Sequence, residues 1–111
     1  MSKHSTAVVS VKILPNAAST PAGKLADAEV VFEAEAGPLR GLKLIGFAVW
    51  ERRSGNGRNV TFPARQYSVN GERRTFALLR PSAGDATSQD RLRELILQAY
   101  SEHEERAEVG A

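Results

Sequence analysis

Arginine dominates the chemistry open to this chain. Nine cations fall between residues 39 and 80 (Arg40, Lys43, Arg52, Arg53, Arg58, Arg65, Arg73, Arg74 and Arg80), and eight of them are arginine. Only Glu51 and Glu72 oppose them, so this third of the chain carries +7, while residues 1–38 carry −1 and residues 81–111 carry −4. A guanidinium offers a planar fork of donors to a phosphate and stacks on rings, which an ammonium does not. Clustered positive charge of this kind is an electrostatic footprint for a polyanion. It is equally the composition of solvated strand faces balanced by an acidic helix.

Other chemistries are poorly supplied. The two histidines, His4 and His103, have no companion at ligand spacing, and there is no cysteine, so no metal site, thiolate chemistry or disulfide is expected. Nucleophile-elbow and HExxH patterns are absent. Glu102, Glu104 and Glu105 read as a solvated helix end, and Asp27, Glu29 and Glu33 as the wet face of a strand. Neither group argues for catalysis, and no cofactor or small-molecule substrate is expected. Residues 1–6 are polar, so no signal peptide is expected, and no stretch approaches the roughly 18 apolar residues of a membrane span. The lack of cysteine fits a reducing cytoplasm.

The elements that would position the arginines follow from periodicity. A length of 111 residues suits one domain, taken as residues 1–111 with 1–6 and 107–111 flexible. In residues 7–14, Val9, Val11 and Ile13 alternate with Ser10 and Lys12, the period of a half-buried strand. In residues 24–35, Ala26, Ala28, Val30, Phe32 and Ala34 share one face and the acids hold the other. Residues 36–38, Ala-Gly-Pro, form a turn. Residues 39–51 are the most apolar, and their alternation slips at Leu44, Ile45 and Gly46, which predicts a bulge.

Residues 52–58, RRSGNGR, form a glycine-rich loop, and Pro63 interrupts the next strand. Asn70-Gly71 is the clearest hairpin signal. From Thr87, a plausible N-cap with Asp90 in the first turn, the residues Leu92, Leu95, Ile96, Ala99, Tyr100 and His103 form one helical stripe. Leu97 lies off it and offers a second contact surface. The expected fold is therefore α+β: an antiparallel sheet of about five strands, two hairpins plus an N-terminal strand, with one C-terminal amphipathic helix.

A two-residue turn at Asn70-Gly71 sets Tyr67 opposite Arg74 and Arg65 opposite Phe76 on one hairpin face. Ala64 then opposes Ala77 and Phe62 opposes Leu79 on the other face, which suits the core. Arginine interleaved with aromatic rings can hold phosphates and stack bases. It can also simply stabilise the hairpin by cross-strand packing. In the RRSGNGR loop, glycine backbone and Arg52, Arg53 and Arg58 can approach a phosphate, although no Walker lysine follows. A plain hairpin with solvated arginines has the same sequence.

The order and spacing of these segments over residues 8–102 resembles the SpoVG family (stage V sporulation protein G, also called septation protein SpoVG). The resemblance lies in VVSVKIL and KLADAEVVF as an opening strand pair, LIGFAVWE leading into SGNG, FPAR with Pro63 and Arg65 matching the family's Met-Pro-Ser-Arg stretch, the hairpin at Asn70-Gly71-Glu72-Arg73, and RLRELILQAY as the closing helix. The family's Asp-Ile-Ala-His-Pro stretch reads here as residues 76–81, FALLRP, with Ala77 and Pro81 preserved, and Gln89 stands where the family tends to have a basic residue. The resemblance implies a small bacterial homodimer that binds DNA and RNA as a regulator without enzymatic activity. It carries over Arg65 and Arg91 as matched cations. The candidate nucleic-acid-binding set is thus Arg52, Arg53, Arg58, Arg65, Tyr67, Arg74, Phe76 and Arg91. The alternative is a protein-interaction module whose edge strand and basic surface meet an acidic protein.

Overall fold

The computed structural model describes residues 8–16, 21–52, 55, 57–85 and 87–110, the last three of these in backbone only. The fold is α+β, with six antiparallel strands in two sheets and one C-terminal helix. Strands β1 (Val9–Pro15), β2 (Lys24–Phe32), β3 (Lys43–Glu51) and β4 (Arg58–Thr61) form a four-stranded sheet in sequence order. Strands β5 (Ala64–Val69) and β6 (Glu72–Ala77) form a separate two-stranded sheet, and helix α1 spans Thr87–Gly110. The helix thus runs through residues 107–110, where a flexible tail was expected. Residues 1–6, with His4, lie outside the described residues.

The core forms where period-2 strands meet the helical stripe. Ala28 and Val30 of β2 and Phe47 and Val49 of β3 cluster with Ile96 and Ala99 of α1. Phe47, Val49 and Ile96 are the largest fully buried side chains, and each such burial is worth about 1.5–3 kcal/mol. The helix packs on the outer strands β1 and β4, so it crosses the whole sheet face. Leu97, expected as a separate surface, is half-buried against this same core. The stripe is wider than the i, i+3, i+4 pattern suggests because α1 spans four strands rather than one groove.

The predicted slip in β3 is a bulge. Ala28 pairs with Phe47 and Val30 with Leu44, so β3 carries one extra residue over that step. Gly46 takes it up at φ +103, and Pro63 rests on its open side.

There are six strands instead of about five because Phe62 and Pro63 split the long second half into β4 and β5. Proline has no N–H to continue a ladder, and the chain leaves the main sheet there. Leu78 N–H donates to the Pro63 carbonyl at 2.9 Å, which closes the base of the new hairpin.

The helix begins on an acceptor other than the one expected. The Asp85 carboxylate accepts the Thr87 N–H at 3.0 Å and the Thr87 hydroxyl at 2.8 Å. These two hydrogen bonds, the backbone one first, hold the Asp85 carboxyl below its ordinary value. A carboxyl depressed on folding stabilises the fold above its unfolded pKa and stops doing so as pH falls through its folded one. The stability gap between wild type and Asp85→Ala should therefore be full at neutral pH and close on acidification below the ordinary carboxylate range. Urea midpoints measured across that range check this. A gap constant with pH would remove the charge from the cap's role.

Candidate nucleic-acid interface

The hairpin register is the predicted one. Arg65 pairs with Phe76, Tyr67 with Arg74, Ala64 with Ala77 and Val69 with Glu72. Asn70 and Gly71 at φ +52 and +82 close a two-residue turn, a conformation that few other pairs reach without strain. The expectation that one hairpin face joins the core is not met. Every residue of β5 is exposed, and in β6 only the last, Ala77, is half-buried. Only Phe62 and Leu79, at the base, pack against the core. Phe62 does so edge-on to Phe47 at 5.2 Å between centroids.

Tyr67 and Phe76 sit side by side on the exposed arm, ring centroids 5.5 Å apart and planes at 70°. This is the favoured edge-to-face arrangement, so each ring is partly occupied by the other. Arg65 is exposed, with no side-chain partner among the described residues. Arg74 reaches the Glu72 carboxylate at 3.4 Å, a loose and exposed ion pair of little energetic weight. Arg73 and Arg80 also stand without a side-chain partner among the described residues. They belonged to the basic block but not to the expected site.

Arg91 joins this group through the helix. Gln89 Nε2 donates to the Leu79 carbonyl at 3.2 Å, and the Arg93 guanidinium lies 5.3 Å from the Phe62 ring centroid. These contacts fix the start of α1 against the hairpin base. Between them is an open cleft of about 210 Å³ lined by Phe62, Leu79, Pro81 and Leu92, with Arg80 and Gln89 at its rim. Arg91 is exposed just past the first turn of α1, and its charge contributes to lowering the Asp85 carboxyl. Arg93 is absent from the expected site, since its contact with Phe62 joins residues 31 apart in the sequence and leaves no local signal; it also pairs with Asp90, three residues before it on the helix. That ion pair is present at 2.6 Å.

The loop arginines lie elsewhere. Arg53 lies outside the described residues. Arg52 folds back, its Nε donating to the Arg58 carbonyl at 3.3 Å. Arg58 opens β4 and turns toward the far end of α1, where it binds the Glu104 carboxylate at 2.8 Å and sits 5.6 Å from the Tyr100 ring centroid. The hydrogen bond to Glu104 raises the Arg58 pKa further, so its charge is permanent. Burial, with the Glu104 charge, raises the Tyr100 phenol against the pull of Arg58. The charge of Arg58 is already matched by Glu104, which leaves less of it for a phosphate. Glu104 stands 46 residues away from Arg58, beyond any local sequence signal. Along α1, Arg91 and Glu104 are 13 residues and roughly 20 Å apart, so the expected site divides in two. Arg65, Tyr67, Arg74, Phe76 and Arg91 gather at the arm and its base, while Arg52 and Arg58 form a structural join at the other end.

Among the described residues no group of His, Asp or Glu side chains is arranged to hold a metal, and no helix is long and apolar enough to cross a membrane. Comparison with family models, curated proteins and solved structures finds no match.

Proposed function

We propose that this chain is a non-enzymatic nucleic-acid-binding regulator acting in the cytoplasm as a small homodimer. One observation carries the reading: a hairpin arm exposed along its length, bearing Arg65, Arg73 and Arg74 with the Tyr67–Phe76 pair. An isolated two-stranded hairpin is marginal in water and gains most from a partner. Arginines aimed at solvent with one glutamate among them suit a polyanion. The likeness to the SpoVG family points the same way.

Fluorescence anisotropy of labelled single-stranded DNA, duplex DNA and RNA across a salt series tests this. Arg65 and Arg74 on phosphates contribute about −2 to the slope of log K against log salt on duplex DNA. Removing Arg65 and Arg74 together should bring the slope down by about 2. Affinity that is flat with salt would exclude phosphate contacts.

A second observation bears on assembly. β4 covers β3 only over residues 48–51, so residues 43–47 have no strand partner on that side among the described residues. Leu42 and Ile45 beside this edge are 57% and 59% exposed. An open edge with apolar side chains is a place for strand addition, and the homodimer uses it. The same edge serves the alternative, a protein-interaction module that meets an acidic protein. Sedimentation equilibrium separates them, since a dimer forms from the purified chain alone, whereas a module stays monomeric until its partner is added.

A further inference from the structure

Given nucleic acid as the partner, as proposed above, we infer that the β5–β6 ribbon enters the major groove of duplex DNA and reads base edges there. Its second face carries Gln66, Ser68, Arg73 and Thr75, set as the cross-strand pairs Gln66–Thr75 and Ser68–Arg73. All four are exposed, and none has a side-chain partner among the described residues. These are the residue types whose donors and acceptors match base edges: arginine with guanine, glutamine with adenine, serine and threonine with either.

Dimensions agree. Six residues per strand make an arm of roughly 20 Å, with strands about 4.8 Å apart. The major groove of B-form DNA is about 12 Å wide and admits a two-stranded ribbon, while that of A-form RNA is deep, narrow and closed to one.

The opposite face completes the arrangement. Arg65 is on β5 and Arg74 on β6, so one cation flanks each groove wall and can reach the phosphates of that side. The Tyr67–Phe76 pair between them turns away from the bases and stiffens the ribbon. Arg80 and Arg91 at the base lie where the duplex backbone would pass the body of the protein.

The test compares the full chain on labelled random-sequence pools of duplex DNA, the same duplex carrying glucosylated 5-hydroxymethylcytosine, duplex RNA and single-stranded DNA. The sugar fills the major groove and should weaken binding by ~10-fold or more, as should the change to duplex RNA. Netropsin, which fills the minor groove, should leave affinity unchanged. Selection from the random pool should show Arg73→Ala and Gln66→Ala changing the preferred bases, and Arg65→Ala weakening every sequence alike. The side chains are exposed, so circular dichroism of each variant should match wild type. Equal affinity for the glucosylated duplex or duplex RNA, or competition by netropsin, overturns the groove assignment. Tight binding confined to single strands overturns it while leaving the nucleic-acid reading intact. No binding to any pool at low salt overturns both.

Discussion

Phe47→Ala should cost the domain about 3–5 kcal/mol, the range for emptying a buried phenylalanine site. Phe47 has no exposed surface and stands where the sheet, the helix and the hairpin base meet. Its ring faces Ala28 across the ladder and the Phe62 edge at 5.2 Å. Pairing with β2 restrains the backbone on one side and Pro63 rests on the neighbouring Gly46, and Ala28 is too small to fill the space, so the cavity cannot readily collapse. Against a total stability of about 5–15 kcal/mol for domains in general, the loss approaches unfolding at ambient temperature. Urea unfolding followed by circular dichroism reads it as a drop in midpoint at unchanged slope. Phe47→Leu should recover much of it. A loss below about 1 kcal/mol would mean that the site closes on itself and that this junction does not hold the helix to the sheet.

Gly46→Ala should be the most damaging substitution that adds a single methyl. The backbone sits at φ +103, outside the range of L side chains, and holding alanine there costs on the order of 1–3 kcal/mol. The new methyl would also stand 2.9 Å from Pro63 Cβ, an atom fixed by its ring and backbone. Overpacking of that kind adds about 1–3 kcal/mol. A double-mutant cycle separates the two. In a Pro63→Gly background the close contact disappears while the φ penalty stays, so the cost of Gly46→Ala should fall by about 1–3 kcal/mol. Strictly additive losses would show that Pro63 does not press on the bulge. The pair also determines where the hairpin leaves the sheet, so Gly46→Ala should weaken nucleic-acid binding at protein concentrations where folding is still complete.

Much of this molecule was legible from neighbouring residues alone. Alternation in residues 9–13 and 26–32, the slip at Gly46, the Asn70-Gly71 turn with its register, and the stripe on α1 are decided within a few residues of each position. Side-chain period, turn dihedrals and proline's missing N–H act over that range. Tertiary structure decided what distant segments cover. It left the hairpin in water except at half-buried Ala77, although Ala64 and Ala77 looked like core, because Pro63 steers the chain off the sheet and α1 packs elsewhere. It drew Leu97 into the core. It also sorted arginines of one composition into two kinds. Arg58 is matched by Glu104 across 46 residues, while Arg65 and Arg73 on the arm stay unmatched among the described residues. A charge count cannot make that division, because whether a cation is spent or free depends on which carboxylate the fold carries to within about 4 Å of it.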